Sequence, residues 1–295
     1  MALYAFDGTG NEDRDGDDHD SNVLDFFRGY VDPNRNDDLS KPLGSLYLKG
    51  IGTRAKTLVG EGSSEAFGIG GHRRVRQMID RLENNFENGD TNVDVIGFSR
   101  GAALALSFGN VVAKTLPQIK IRFMGLWDVV GEFGLPGRFV NAGHDLHIPP
   151  NVARCYHAMA LDERRLLFPL TRLHHGLEAT GRIREVWFRG VHSDVGGGNG
   201  NRCLNWIALN WLYQNAIREG LPIDTAAVTA NLVDKDLAQQ ISDHKVEAGP
   251  PRIIFDTDLL HISVALTPGI PGRPHNNPRI VCARCDDAGQ ILEPA

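Results

Sequence analysis

The sequence predicts an α/β fold in which a mostly parallel sheet is flanked by helices. Short apolar runs of strand length alternate along the chain with longer segments in which apolar residues recur every three to four positions. This alternation is typical of βαβ units, which build parallel sheets. The 33 glycines suit the many tight turns of such units. Because no repeat and no linker-like stretch divides the 295 residues, we predict a single domain over 1–295.

The first elements follow directly from these patterns. Residues 2–6 are an apolar run that stops at a glycine turn, which predicts a strand. Ser21 is a suitable N-cap for a helix that follows it. Residues 45–50 predict a second strand. Residues 72–87 predict an amphipathic helix, because their apolar positions repeat at three and four.

The rest of the chain continues the alternation and contains two less regular parts. Residues 54–71 are rich in glycine and serine, which fits a lid or mobile loop near a site, and residues 221–295 are less regular. The predicted elements between them are a strand over 93–98, a helix over 101–116, a strand over 119–127, a helix over 151–167, a strand over 185–191 and a helix over 205–218.

Composition and charge exclude several classes of protein. The net charge is −6 and there is no long basic run, so we expect no binding to nucleic acid. Residues 1–6 are too short an apolar run for a secretory signal, and no stretch approaches the length of a membrane span. The four cysteines form no disulfide pattern, so synthesis in a reducing cytoplasm is expected.

No metal or other cofactor is expected. The acidic loop over 12–20 offers many oxygen ligands but does not have the spacing of an EF-hand. Cys282 and Cys285 form a lone CxxC pair, whereas a zinc site needs a second pair of ligands. We interpret these features as a solvated loop and as structural thiols.

Ser99 lies at the centre of a GxSxG motif, between Gly97 and Gly101. The motif directly follows the predicted strand over 93–98 and begins the next helix. A sharp strand-to-helix turn crowds the backbone, so the residues that flank it must be small. This context is that of a nucleophile elbow, which predicts Ser99 as the nucleophile of an α/β-hydrolase-like fold.

Asp128 and His192 each come just after a predicted strand, and the order serine, acid, histidine is that of α/β-hydrolases. The carboxyl ends of parallel strands converge on one crevice, so these side chains are expected to meet. His192 is the predicted general base, and Asp128 would orient it and stabilise its imidazolium. His261 is the alternative base. Asp194 is the alternative acid, although it lies so near His192 in the chain that it would more easily hold the loop.

An oxyanion hole requires two backbone N–H groups directed at the developing negative charge. Arg100, which follows the nucleophile, is expected to supply one of them. Gly8 or Thr9, in the loop after the first strand, is expected to supply the other. Asp7 is a candidate for bracing that loop through its carboxylate, and an ordinary turn aspartate is the alternative.

Six motifs together resemble the α/β-hydrolase-like domain family that includes the type VI secretion phospholipase effectors. They read FDGTGN, GIGT, GFSRGA, LWDVVG, ALDERR and VWFRGVHSDVGGG, and they occur in this order over residues 6–198. Residues 199–295 carry less of the resemblance. The resemblance implies a triad of Ser99, Asp128 and His192 that hydrolyses lipid esters, typically those of glycerophospholipids, without a metal.

The resemblance also bears on partners and location. The expected substrate is a lipid or a small ester, and peripheral membrane contact is compatible with it. A secretion-machinery or immunity partner, and export without a cleavable signal peptide, are the corresponding expectations for the protein after its synthesis.

Two other functions remain as alternatives. The segment that begins at Phe6 also resembles the start of haloacid-dehalogenase-type phosphatases, but Ala5 stands where their nucleophilic aspartate would be. A non-catalytic binding module on a hydrolase fold is the second alternative, because a fold does not fix a function. The complete set of three candidate catalytic residues favours a serine hydrolase that forms an acyl-enzyme.

Overall fold

The computed structural model describes residues 1–9, 19–50, 64–131, 144–173, 181–230, 249–266, 284–287 and 291–292. The strands in these ranges are β1 (Ala2–Phe6), β2 (Leu46–Leu48), β3 (Val93–Phe98), β4 (Ile121–Trp127), β5 (Val152–Ala160), β6 (Ile183–Phe188), β7 (Leu259–His261), β8 (Arg284–Cys285) and β9 (Ile291–Leu292). The helices are α1 (Asn22–Gly29), α2 (Ser64–Glu87), α3 (Arg100–Thr115), α4 (His192–Gly196), α5 (Arg202–Arg218), α6 (Thr225–Ala230) and α7 (Ser263–Leu266). None of these helices is both long enough and apolar enough to cross a membrane.

The strands form one sheet in the order β2-β1-β3-β4-β5-β6-β7-β8-β9. Neighbouring strands from β2 to β8 are parallel, and β8 and β9 are antiparallel. The carboxyl ends of the parallel strands therefore lie along one edge, where an α/β sheet usually binds its ligand. The predicted α/β fold with a mostly parallel sheet is confirmed.

Both faces of the sheet are covered by helices. In β1, Tyr4 and Phe6 pack with residues of α2 and α3, whereas Leu3 and Ala5 pack with residues of α1 and α5. This division follows from the two-residue period of a strand, which sends alternate side chains to opposite faces. The central strands are consequently buried on both sides, and they hold the turns at their carboxyl ends in fixed positions.

The amino end of α1 is tied to the helices that follow β6. Ser21 caps α1 by accepting a hydrogen bond from the backbone N–H of Leu24 at 3.2 Å. The buried amide of Asn22 donates to the carbonyl oxygens of Val195, at 2.8 Å, and of Asn205, at 2.9 Å. These bonds connect α1 to the consecutive helices α4 and α5, 173 and 183 residues further along the chain.

The predicted helix over 151–167 is wrong, because residues Val152–Ala160 form β5 between β4 and β6. From Cys155 to Ala160 every residue is buried. A central parallel strand has both faces in the core, so it lacks the apolar and polar alternation of a surface strand. A continuous apolar run of this kind cannot be distinguished from a buried helix by its periodicity.

Other boundaries differ from the predictions as well. Helix α2 begins at Ser64, so residues 64–71 of the predicted lid are helical, while residues 54–63 lie outside the described residues. Strand β6 spans Ile183–Phe188 where a strand over 185–191 was predicted, and His192 begins the short helix α4. Beyond residue 221, the described parts add β7, β8 and β9 to the same sheet. A single domain over 1–295 stays a prediction.

Gly101 allows the closest approach between α3 and β1. A Cβ atom at this position would lie 2.3 Å from the carbonyl oxygen of Phe6 and 2.4 Å from that of Asp7. Because both obstacles are backbone atoms, Gly101→Ala is expected to lower the free energy of unfolding by roughly 2 kcal/mol. Urea titration followed by circular dichroism measures this change.

Gly89→Asn is the control for Gly101→Ala. Gly89 has φ +88° and open space where a Cβ would lie, and asparagine tolerates that conformation. The control is expected to lose no more than about 1 kcal/mol, the cost of a side chain in the left-handed region without a steric clash. Equal losses in the two variants would contradict the steric argument.

Candidate active site

Ser99 lies on the sharp turn between β3 and α3. Its backbone angles are φ 58° and ψ −127°, and its N–H donates to the carbonyl oxygen of Trp127 at 3.0 Å. Among the described residues other than glycine, Ser99 and Asp128 are the two with positive φ, at 58° and 39°. Such strained conformations concentrate at functional sites, and here both lie at the carboxyl edge of the sheet.

The glycines of the GxSxG motif are required by steric contacts. A Cβ at Gly97 would lie 2.7 Å from the Cα of Ala102, and the clash at Gly101 with β1 is closer still. The turn at Ser99 therefore brings β3, α3 and β1 together through two positions that admit no side chain.

His192 is hydrogen-bonded to both of the other predicted triad residues. Its Nε2 lies 2.8 Å from Ser99 Oγ, and its Nδ1 lies 2.6 Å from Asp128 Oδ2. The imidazole lies against the rings of Phe98 and Phe168, with centroid distances of 4.6 and 4.7 Å. The structure thus brings serine, histidine and aspartate into one chain of hydrogen bonds with the geometry that proton transfer needs.

The backbone of His192 is fixed by a residue that the sequence analysis did not single out. Glu163, just after β5, accepts the His192 backbone N–H at 3.0 Å and forms an ion pair with Arg165 at 2.7 Å. Glu163 belongs to the ALDERR motif, so the motif was a signal that this segment lies near the site. Its role in holding His192 depends on the packing of β5 beside β6.

Asp128 is completely buried and its carboxylate is fully engaged. Oδ1 accepts the backbone N–H of Ala160 at 2.8 Å, and the backbone N–H of Asp128 donates to Ala158 at 2.8 Å. Arg252 also binds the carboxylate, with Nη1 at 2.6 Å from Oδ1 and Nη2 at 3.0 Å from Oδ2. No pattern in the sequence indicated Arg252, because it follows two prolines in a segment without regular structure.

The electrostatics of the pair follow from burial and from these partners. Burial alone would raise the pKa of Asp128, but Arg252 and His192 outweigh it and hold the pKa well below its ordinary value. Burial lowers the pKa of His192, and the neighbouring Asp128 opposes that shift only in part. The resulting state is an ionised aspartate beside a neutral imidazole, which is the form a general base requires.

The two alternative triad members occupy other positions. Asp194 accepts the backbone N–H of Val191 at 3.0 Å and the side-chain amides of Asn199 and Asn201. It therefore holds the segment around α4. The ring nitrogens of His261 lie 2.8 Å from Ser263 Oγ and 3.1 Å from Asp287 Oδ1.

The loop after β1 is braced by Asp7, whose Oδ2 accepts hydrogen bonds from Ser21 at 2.6 Å and from Tyr47 at 2.5 Å. The backbone N–H of Gly8 is directed at Asp7 Oδ1, at 2.6 Å. This contact makes Gly8 the less available of the two expected oxyanion donors, and both Gly8 and Thr9 stay predictions. The hydroxyl oxygen of Thr9 is buried with no hydrogen-bond partner among the described residues.

Arg100, the expected second donor, is the first residue of α3. The first-turn N–H groups of a helix have no acceptor within that helix and carry its positive dipole end. Burial lowers the pKa of the Arg100 side chain to about 10.

In the part of the chain that the structure describes, no group of three His, Cys, Asp or Glu side chains could hold a metal. Cys282 and most of the acidic loop lie outside that part.

A second buried polar network supports the turn after β4. His157 Nε2 accepts the backbone N–H of Val129 at 3.1 Å, and His157 Nδ1 lies 2.9 Å from Glu185 Oε1. Arg172 then joins Glu185, at 2.9 Å, to Asp258, at 2.8 Å. This network fixes the backbone of Val129, the residue that follows Asp128. No sequence pattern indicates the network, because its members come from four separate segments.

A parallel α/β sheet with a strained serine turn after one strand and a histidine after another defines the α/β-hydrolase class. Residues 3–116 and 112–215 match the family described as the catalytic domain of Tle1-like phospholipase effectors of the type VI secretion system. The chain belongs to this family. The membership confirms the resemblance seen in the sequence.

Two solved structures are similar to this chain at low sequence identity. An uncharacterized protein from Pseudomonas aeruginosa is 20% identical, with a TM-score of 0.51 over 75% of this chain and 46% of that one. A Tle1 effector bound to the VgrG spike of the type VI secretion system is 22% identical, with a TM-score of 0.45 over 67% of this chain and 50% of that one. The chain thus spans about half the length of each. A search of curated proteins finds no match.

Glu185 is expected to stabilise the fold in a pH-dependent way. Burial would raise its pKa, but His157, Arg172 and the backbone N–H of Leu173 outweigh burial and lower the pKa from 4.5 to about 2. Breaking such a buried network by Glu185→Gln is expected to reduce the free energy of unfolding by roughly 3 kcal/mol at pH 7. Because the folded pKa is depressed, this contribution is complete above 4.5 and is lost as the pH falls toward 2.

Urea titrations of the two proteins between pH 7 and the lowest pH at which both fold measure the difference. The exposed Glu83 in α2 provides the control, and Glu83→Gln is expected to change stability by less than about 0.5 kcal/mol at every pH. A Glu185→Gln deficit that stays constant with pH would contradict the assignment.

Proposed function

We propose that the protein is a serine hydrolase that cleaves the carboxylic esters of lipids, with Ser99, His192 and Asp128 as its catalytic triad. The observation that carries the proposal is the unbroken chain of hydrogen bonds from Ser99 Oγ through His192 to Asp128, at 2.8 and 2.6 Å. Membership of a phospholipase effector family supports the lipid class of substrate.

The proposed reaction has two halves. His192 Nε2 takes the proton of Ser99 as Oγ attacks the ester carbonyl, and Asp128 stabilises the imidazolium that forms. His192 then gives the proton to the leaving alcohol, which leaves an acyl group on Ser99. A water activated by His192 hydrolyses this acyl-enzyme and releases the acid. The backbone N–H groups of Arg100 and Thr9 would stabilise the oxyanion in both halves.

Exposed apolar side chains in two segments that contact the triad support a lipid in preference to a small soluble ester. Leu166 and Leu167, 68% and 50% exposed, directly precede Phe168, which contacts His192. Ile253 and Phe255, 73% and 53% exposed, follow Arg252, which contacts Asp128. We call these four side chains the apolar lip. Apolar surface of this kind next to a site suits contact with a lipid layer, and thus peripheral membrane contact.

Type VI secretion is the export route that family membership supports, with the secretion machinery as a partner. An immunity partner, and synthesis in the cytoplasm without a cleavable signal peptide, stay predictions. The two alternatives, a phosphatase and a binding module, predict no covalent labelling of Ser99.

Ser99→Ala is expected to abolish labelling by a fluorophosphonate probe and to reduce hydrolysis of a p-nitrophenyl ester roughly 10³-fold or more. Ser107→Ala is the matched control, because Ser107 is also buried and also contacts a histidine, with Oγ 2.8 Å from His144 Nδ1. The control is expected to keep both labelling and activity. Lipid product analysis with phospholipids, neutral lipids and soluble esters then identifies the substrate. Labelling of Ser99→Ala at the rate of the unsubstituted protein would refute the proposal.

The apolar lip is expected to act only on aggregated substrate. The double variant Leu166→Ser and Ile253→Ser should lower hydrolysis of phospholipid vesicles about a hundredfold or more, since burial of each side chain contributes roughly 1.5–3 kcal/mol and about 1.4 kcal/mol is a factor of ten. Activity on a dissolved short-chain ester should not change. Leu39→Ser is the control, because Leu39 is 50% exposed but lies near the amino ends of the strands. Equal losses on vesicles and on the dissolved ester would show that the lip does not bind the lipid layer.

A further inference from the structure

Arg252 joins the triad acid to two other segments of the chain. Its guanidinium binds both oxygens of Asp128, and it also donates to the carbonyl oxygens of Ala160 at 2.6 Å and Phe168 at 3.0 Å. The side chain is 9% exposed. Asp128 Oδ2 therefore accepts hydrogen bonds from Arg252 and from His192 together. Arg252 lies beyond residue 215, where the family match ends.

The contact with Arg252 compensates for the lost hydration of the Asp128 carboxylate. Asp128 is fully buried, and a buried carboxylate is strongly disfavoured unless an opposite charge and hydrogen bonds compensate for its lost hydration. A neutral His192 donates a hydrogen bond but carries no charge. Arg252 supplies the charge, and its planar fork fits a carboxylate in two parallel hydrogen bonds.

We propose that Arg252 is a positioning residue of the triad, which keeps Asp128 ionised and correctly oriented while His192 is neutral. This inference rests on the proposed function. Without Arg252, the buried carboxylate would have His192 as its source of positive charge. The imidazole would then hold its proton up to a higher pH, and a protonated imidazole cannot accept the proton of Ser99.

The other groups around His192 give the direction of this effect. Asp128, after β4, and Glu163, after β5, both raise the pKa of His192, whereas burial and Arg252 lower it. Arg165 is paired with Glu163, and the rings of Phe98 and Phe168 carry no charge. Removal of the guanidinium therefore takes away one of the influences that lower the pKa of His192, and that pKa rises.

The test is a titration of His192 by NMR in protein labelled at histidine Cε1, with the signal assigned from the spectrum of His192→Gln. In Arg252→Gln, the midpoint of His192 is expected to rise by about one pH unit, as for the loss of a nearby charge. In the pH dependence of kcat/KM for ester hydrolysis, the midpoint of the acidic limb should move to higher pH by the same amount. An unchanged midpoint in folded Arg252→Gln would overturn the proposal.

Two further variants separate charge from structure. Arg252→Lys keeps the charge but cannot bridge the same acceptors, so the midpoint should stay near that of the unsubstituted protein while kcat falls. If Arg252→Gln does not fold, a raised midpoint or an unchanged kcat in Arg252→Lys would overturn the proposal.

Arg164→Gln is the matched control, because Arg164 Nε donates a hydrogen bond to the carbonyl oxygen of Gly249 in the same segment, at 2.9 Å. It should leave the midpoint unchanged.

The NMR titration also distinguishes this proposal from the proposed function. If Ser99→Ala retains full hydrolysis, the proposed nucleophile is wrong, whatever the titration shows. If Ser99→Ala is inactive and His192 titrates identically in Arg252→Gln and the unsubstituted protein, the triad stands and the role of Arg252 fails.

Discussion

The carboxylate of Asp128 has no contact with solvent, and a charge in that position must be compensated from within the protein. Its compensation determines where several segments lie. The turn after β4 presents the carboxylate, β5 contributes the backbone N–H of Ala160, α4 contributes His192, and the segment after Gly249 contributes Arg252. Four parts of the chain thus meet at one buried carboxylate. The site therefore depends on segments along the whole carboxyl edge of the sheet.

Conformational strain and close packing meet at the same edge. Ser99 and Asp128 adopt positive φ angles, and Gly97 and Gly101 leave no room for side chains where β3, α3 and β1 approach one another. Strained residues persist only where their surroundings determine them completely. The buried network of His157, Glu185 and Arg172 provides such surroundings next to Asp128. The rigidity of the edge keeps the reacting atoms within hydrogen-bond distance before substrate arrives.

The sequence predicted the parts of the molecule that have local patterns. Ser99, Asp128 and His192 each follow an apolar strand, so their convergence follows from the rule that parallel strands end at one edge. The strand β5 was missed because a strand buried on both faces has no alternation. Arg252 and His157 were missed for another reason: their contacts join residues 124 and 28 positions apart, and neither lies in a local motif. The choice between Gly8 and Thr9 as oxyanion donor depends on the directions of their backbone N–H groups, which a sequence pattern does not encode.

The distance in the chain between Asp128 and Arg252 has a consequence for how the protein is made. A ribosome synthesises Ser99, Asp128 and His192 well before it reaches the arginine that pairs with the acid, 124 residues after Asp128. A nascent chain that already contains the three residues therefore has a buried acid that lacks its cation. If these residues act as proposed, the site stays incomplete during translation until the segment that carries Arg252 has been made and has docked.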